Sequence, residues 1–427
     1  MFTFNKITPL FFVFLICVSC SDDDITVEEP IELTEQVKVY EKDLLNDDLV
    51  LAIVNGENQA FIIDKAGNKL KEFEFTNSLG NDLEILPDGR MLGIFKDPAA
   101  QITFGGYGGI ARLINPDGSI DWEYTVSDED EILHHDIEML PNGNILMLIW
   151  ERIDEQSQEE NGSFNGDNIY PEKLVEINPV NNQIVWEWRS WDHIIQDGDP
   201  SIDNYGIVSD NPHKLHINYR VATNGDVMHA NGIDYDETRD VIFMSVNFWN
   251  ETWVIDHSTT TAEASSGSGG NYGKGGDLIY RFGNPLAYDN QVGEVRVDRN
   301  HFPNLLEDGV PGEGNILLYV NGNTLEQSTI LELKMPEPFQ LFPNTDNEPE
   351  LVWSYEHPDL YARFISGATR LPNGNTLICE GDYGFWEVTA DKVIVWKYEG
   401  EDPDLNFWRA YNYEKSDARL ESYSLEN

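Results

Sequence analysis

The sequence predicts an all-β fold, a six-bladed β-propeller with four-stranded blades. Three observations predict it: two signatures that recur along the chain, strand-like runs ending in alternating aromatics, and almost no helical periodicity. The first signature is Leu-Pro-Asn/Asp-Gly before an apolar run. It reads Leu86-Pro87-Asp88-Gly89, Leu140-Pro141-Asn142-Gly143 and Leu371-Pro372-Asn373-Gly374. A stretched copy starts at Leu305-Leu306-Glu307-Asp308-Gly309 and resumes at Gly314, and a divergent copy without proline runs from Asp234 to Ile242. Asn, Asp and Gly tolerate positive φ, so each copy marks a tight hairpin.

The second signature is a strand, a polar turn and a strand ending in aromatics. Its six copies end at Phe73-Glu74-Phe75, Trp122-Glu123-Tyr124, Trp186-Glu187-Trp188, Tyr280-Arg281-Phe282, Trp353-Ser354-Tyr355 and Trp396-Lys397-Tyr398. The first signature has five copies, and the segment Asp47–Val54 is the expected place of the sixth. Each unit then holds two hairpins, which is one propeller blade. Insertions at 156–168, 196–212 and 258–277 are expected to be loops on a propeller face.

The 427 residues are 40% hydrophobic and 11% aromatic, enough to bury a sizeable core. Acidic residues outnumber basic ones 77 to 27, for a net charge of −50. Such a field repels nucleic acid, so no nucleic-acid partner is expected. It also repels any anionic ligand, so an anion site must be built from donors close at hand.

The N-terminus reads as an export signal. Lys6 precedes the apolar run Leu10–Val18, too short for a comfortable membrane span. Ser19-Cys20 resembles a bacterial lipobox, although Cys17 stands where Leu is usual. The expected organisation is a signal peptide at 1–19, a lipid-anchored acidic tether at 20–36 with Cys20 acylated, and the propeller at 37–427. Ser21-Asp22-Asp23-Asp24 looks like the acidic tag that sends some lipoproteins to the cell surface. The expected site of action is the cell envelope, with membrane contact through the lipid alone. Only Cys379 then remains as a thiol, so no disulfide and no cysteine metal cluster is expected.

Counting back five residues from the leucine of each first signature gives Asn81, His135, His301 and Ser366; from Asp234 it gives His229. Equivalent positions in a propeller recur around the central axis, so these side chains are expected to converge on one mouth of the channel. His134 lies next to one of them. Three readings stay open. A polar residue here can simply bond the preceding loop. His134, His135, Asp136, His229 and His301 can supply ligands to a transition metal. Or one imidazole attacks an electrophile while others position an anion.

The run His134-His135-Asp136-Ile137-Glu138-Met139-Leu140-Pro141-Asn142-Gly143-Asn144 resembles the arylsulfate sulfotransferases, PAPS-independent enzymes on six-bladed propellers. So do Met228-His229-Ala230-Asn231-Gly232, Asn300-His301, Ser366-Gly367-Ala368-Thr369-Arg370 and Arg409-Ala410-Tyr411-Asn412-Tyr413. The resemblance implies that His301 takes up the sulfuryl group as a sulfohistidine. It implies that His135 and His229 hold sulfate oxygens or assist proton transfer, with His134, Asn231 and Ser366 among the substrate-binding residues. The implied partners are a phenolic sulfate donor and a phenol acceptor, with no cofactor and no metal. A neutral imidazole is both a good nucleophile and a good leaving group, so the chemistry needs nothing more.

One position departs from the family. A Ser-Ser-Arg-like strand, whose arginine binds sulfate, is here Met244-Ser245-Val246-Asn247-Phe248-Trp249. Asn247 brings a hydrogen bond but no charge, and a charge-assisted donor is roughly twice as strong as a neutral one. Arg370 and Arg409 are the candidate substitutes, and Phe248, Trp249 and Trp253 a candidate aryl wall. The leading expectation is arylsulfate sulfotransfer. Two others compete with it: a non-catalytic surface lipoprotein that binds sulfated aromatics or glycans, and a metal-dependent propeller lyase.

Overall fold

The Leu-Pro-Asn/Asp-Gly segments fold as their residues dictate. In each, glycine takes a left-handed φ (83° at Gly89, 79° at Gly143, 88° at Gly374) and its N–H donates to the leucine carbonyl at 2.8–2.9 Å. The Asx side chain closes the turn by accepting from the backbone two residues on, at 3.0 Å in Asp88, 2.8 Å in Asn142 and 2.9 Å in Asn373. Hairpin follows hairpin, and the chain is all-β with a β-propeller-like arrangement. Among the described residues the α-helices are the short Glu155–Glu160, which starts one residue before the expected insertion at 156–168, and Thr261–Ala264, inside the one at 258–277.

The computed structural model describes residues 31–425. The expected signal peptide, the Cys20 lipidation site and the tether up to residue 30 lie outside the described residues. Residues from Leu33 onward form one compact unit.

Four sheets are separate blades. One is ordered Ala230–Asp236, Val241–Val246, Glu251–Asp256, Tyr280–Phe282; a second Asn300–Leu305, Ile316–Val320, Thr329–Lys334, Glu350–Glu356. The third runs Gly367–Arg370, Thr376–Glu380, Gly384–Val388, Ile394–Glu399 and gains Val37–Tyr40 at its edge. The fourth takes its first strand, Phe407–Glu414, from the C-terminal region and pairs it with Asp48–Val54. This explains the missing sixth copy of the first signature: strands from opposite ends of the sequence need no turn between them. The remaining strands, between Leu79 and Arg189, form an eight-stranded sheet in which Leu79–Ile85 and Glu131–Met139 meet only at Asn81 and His135. Apolar clusters fill the spaces between sheets, and the aromatics of the second signature, such as Trp188 and Trp396, are buried in them.

Each first strand packs against the next: Glu131–Met139 on Ala230–Asp236, then Asn300–Leu305, Gly367–Arg370, Phe407–Glu414 and Leu79–Ile85. These inner strands are kinked where their ladders slip, for example between Leu79 and Leu83, Ala230 and Gly232, and His301 and Pro303. Left-handed φ angles at non-glycine residues gather at these kinks: 52° at His135, 54° at His229, 51° at Phe302 and 94° at Ser366. Bulges re-aim side chains, and backbone strain of this kind collects at functional sites.

The register found by counting from the turns holds for four positions. Asn81, His135, His301 and Ser366 each stand four residues before the last paired residue of their strand. His229 does not. Its strand stays paired as far as Asp236, so Asp234 is not the start of the turn; His229 lies seven residues back, and Gly232 holds the equivalent place.

Candidate active site

The three histidines nevertheless converge. The His135 and His229 rings are 4.7 Å apart, and Trp408 sits 5.7 Å from His135 and 6.0 Å from His301. Each ring is anchored at Nδ1. His301 Nδ1 lies 2.7 Å from Asn321 Oδ1, His229 Nδ1 lies 2.6 Å from Asp226 Oδ2, and His135 Nδ1 lies 2.9 Å from His134 Nδ1. Among the described residues none of the three Nε2 atoms has a hydrogen-bond partner.

The Asn321 amide leaves His301 no choice of tautomer. Its Nδ2 donates to the Ala362 and Ile365 carbonyls at 2.9 and 3.1 Å, so its Oδ1 must face His301 and accept from Nδ1–H. Nε2 of His301 therefore carries the lone pair. Burial, followed by the neighbouring His229, Arg409 and Arg299, outweighs the Asn321 bond and pushes the His301 pKa down to about 3. The ring is neutral and nucleophilic. His135 is likewise driven well below the usual imidazole range, first by burial and then by His229, His134 and His301.

A Gly-Gly pair lets the backbone close over these rings. A Cβ on Gly106 would fall 2.0 Å from His135 Nε2, and one on Gly105 would come within 4.0 Å of His229. The His135 N–H donates to the Gly106 carbonyl at 3.0 Å, which ties strand and loop together.

Other expected site residues serve the frame. His134 is fully buried, stacked on Trp150 at 3.7 Å, and both its nitrogens are engaged, by His135 and by Glu172. It stands behind His135 and has no nitrogen left for substrate. Asn231 donates to the Asn300 carbonyl at 2.8 Å and accepts from Ser245 at 2.6 Å. Ser366 accepts from the Gly381 N–H at 3.0 Å. Arg370 is held at 2.7 Å by Glu332 of the neighbouring blade and does not reach the histidines as a substitute cation. Arg409 does reach the centre, but its guanidinium is given to Asp136 in two 2.9 Å bonds. Trp249 and Trp253 are blade core; only Phe248 meets the site, stacked on His229 at 4.5 Å.

The sequence reading missed the cations that do stand free of carboxylates. Arg299 and Arg220 lie over the Phe248 ring at 4.6 and 4.3 Å, with no carboxylate paired to either among the described residues. Burial and then the charge of Arg220 lower the Arg299 pKa. Asn247, the departure from the family pattern, accepts from Arg299 Nη1 at 3.1 Å and donates to the Asn300 carbonyl at 3.0 Å. The charge missing from position 247 is thus presented by Arg299, with Asn247 holding it. Its place two residues before His301 was the available signal.

Inner strands also bring Asp82, Glu84, Asp136 and Asp234 together around Arg409, with Glu138 beside Asp136 and Asp234. Burial raises Asp82, Glu138 and Asp234 well above the carboxylate range and lifts Glu84 to about 7. Among the described residues no three His, Cys, Asp or Glu side chains are grouped as a metal ion requires.

Kinked inner strands that aim anchored imidazoles beside arginines without a carboxylate partner among the described residues form the candidate site, on a β-propeller-like scaffold. The family model described as arylsulfotransferase (ASST) matches residues 34–264, and the chain belongs to that family. No curated protein matches the chain. Among solved structures it is similar to a protein of unknown function from Bacteroides caccae (12% identity, TM-score 0.49, covering 87% of this chain and 100% of that one). It is also similar to a putative 6-phosphogluconolactonase from Bacteroides fragilis NCTC 9343 (9% identity, TM-score 0.42, 86% and 97% covered). Likeness at this level fixes neither blade number nor chemistry.

Proposed function

We propose that this protein is a PAPS-independent arylsulfate sulfotransferase that passes a sulfuryl group from a phenolic sulfate ester to a phenol through a sulfohistidine at His301. One observation carries the reading: a buried amide, Asn321, commits His301 to the neutral tautomer with Nε2 bare. In the first half-reaction Nε2 attacks sulfur, the S–O bond to the phenol breaks, and the phenolate leaves. In the second a phenol oxygen attacks the same sulfur and the S–N bond breaks. Arg299 supplies donors to the sulfuryl oxygens, where charge accumulates in the transition state, and His135 and His229 assist proton transfer at the phenol oxygen.

We also propose six blades: the eight-stranded sheet divides into two four-stranded halves whose first strands pair only at Asn81 and His135. The closed order in which inner strands pack supports this count. Anchoring through Cys20 at the cell envelope, facing periplasm or exterior, belongs to the same proposal and follows the Ser19-Cys20 motif.

The test is mass spectrometry of the protein after brief exposure to a nitrophenyl sulfate. A sulfuryl adduct on His301, absent from His301→Ala, is the expected result. Full exchange activity in His301→Ala removes His301 from the mechanism.

A further inference from the structure

Glu172 lies outside every motif that singled out the site, yet it is fully buried at its back. Its Oε2 is 3.0 Å from His134 Nε2, and its Oε1 accepts from the Ala230 N–H at 2.7 Å. His134 in turn meets His135 through the 2.9 Å Nδ1 to Nδ1 contact, while the Trp150 stack fixes its plane. Two imidazole Nδ1 atoms in hydrogen-bond contact share one proton between them, so the tautomer of one ring dictates that of the other. The chain Glu172–His134–His135 has two neutral-imidazole states. With Glu172 protonated, it donates to His134 Nε2; His134 Nδ1–H donates to His135 Nδ1; and His135 presents Nε2–H. With Glu172 ionised, every proton shifts by one place and His135 presents a bare Nε2.

We propose that Glu172 and His134 are a proton relay that switches His135 Nε2 between donor and acceptor, so that one histidine serves as acid in the first half-reaction and base in the second. This rests on the reading that His301 carries the sulfuryl group. When the first phenolate leaves, it takes the proton from His135 Nε2. His135 Nδ1 recovers one from His134 Nδ1, and His134 Nε2 recovers one from Glu172, which becomes a carboxylate. The acceptor phenol returns its proton to His135 Nε2 as its oxygen attacks sulfur, and the relay runs back to a protonated Glu172. No proton is gained or lost over the cycle, and no other reactant is needed.

The surroundings suit the resting state. Burial raises Glu172 well above the carboxylate range, against the opposing Ala230 N–H bond and with Asp226 adding to the rise. His134 is pushed well below the imidazole range by burial and by His229. The other charged or titratable groups facing His135 are His229, His301 and Arg409. Glu172 acts only through His134 and is a positioning residue.

Glu172→Gln is the test, because the amide can donate to His134 but can never release a proton, which locks His135 as a donor. Loading of His301 is read by the adduct from two donors: phenyl sulfate, whose phenolate takes the proton of His135, and nitrophenyl sulfate, whose leaving group needs none. The variant is expected to slow loading from phenyl sulfate about 10²-fold more than loading from nitrophenyl sulfate, the usual range for lost general acid–base catalysis. Equal slowing with both donors, or none, overturns the relay while leaving the His301 adduct in place. Absence of the adduct from the wild-type protein overturns the sulfuryl-carrier reading and the relay with it. Should Glu172→Gln fail to fold, the wild-type protein decides. A solvent deuterium isotope effect on loading from phenyl sulfate but not from nitrophenyl sulfate supports the relay, and equal effects overturn it.

Discussion

Arg409 and Asp136 form two parallel 2.9 Å hydrogen bonds at the centre of the molecule, one residue beyond His135. The pair joins strands from distant parts of the sequence. Asp136 also accepts from the Ile233 N–H at 2.7 Å, and Arg409 also donates to the Asn231 carbonyl at 3.1 Å. The ends of the sequence are therefore latched to the strand that carries His135.

Breaking that latch should unfold the scaffold before it alters the chemistry. Both side chains are almost fully buried, and removing one partner leaves the other as an uncompensated charge. Arg409→Ala is expected to lose about 3–5 kcal/mol of stability, the range for broken buried pairs. Denaturant melts of the two proteins check this. A loss under about 1 kcal/mol would mean that Asp136 finds another partner.

Arg299 should govern substrate affinity and Asn247 should act through it. Arg299→Ala removes the cation bonded at position 247 and is expected to lower kcat/KM for an aryl sulfate by about 10²-fold, as loss of an oxyanion donor does. Asn247→Ala keeps the charge but loses the bonds that hold Arg299 and the Asn300 carbonyl, so about tenfold or less is expected. Steady-state kinetics on both variants separates the roles. An Asn247→Ala effect as large as that of Arg299→Ala would place the amide itself on the substrate.

The turns and aromatic-ended strands were legible because local chemistry dictates them; Gly143 needs positive φ whatever surrounds it. His135 and His301 were legible for the same reason, since a fixed distance from a turn is a fixed place in a blade. Partners from elsewhere in the chain were not. Glu172 reaches His134 across 38 residues and Arg409 reaches Asp136 across 273, and no spacing rule connects them. His229 was found by a count whose turn was misplaced, and its true position depends on a ladder that runs on to Asp236. Arg370 failed as a substitute cation because Glu332, on the neighbouring blade, had already claimed it.

The glycine loop over the site gives a sharp steric prediction. Gly106 has φ of 83°, and an added Cβ would be embedded in the His135 ring. Gly106→Ala should displace that ring and reduce turnover to the level of His135→Ala, while the melting temperature moves much less than in Arg409→Ala. Gly118, which has a similar φ of 84° but open space around its Cβ, is the control. If both alanine variants lose activity alike, backbone strain and not contact with His135 is the cause.

The pH dependence follows from the displaced imidazoles. His301 in the folded protein titrates at about 3, far below the 6.5 of an exposed ring, so folding favours its neutral form. Its contribution to stability is complete above about 6.5 and is lost as pH falls from there toward 3, because the unfolded chain binds a proton the folded chain resists. Glu84 runs the other way. Its folded value of about 7 lies above the ordinary 4.5, so its favourable contribution is present at low pH and lost as pH rises from 4.5 through 7. Asp82, Glu138 and Asp234 are raised by burial in the same sense. Stability measured against pH should therefore decline on the alkaline side, and Glu84→Gln should flatten that decline. Sulfuryl loading behaves differently, since only neutral His301 attacks. The rate of adduct formation from a nitrophenyl sulfate should hold its value down to pH 5. A fall centred on 6.5 would show that His301 titrates as an exposed imidazole, and its burial would then have no bearing on its nucleophilicity.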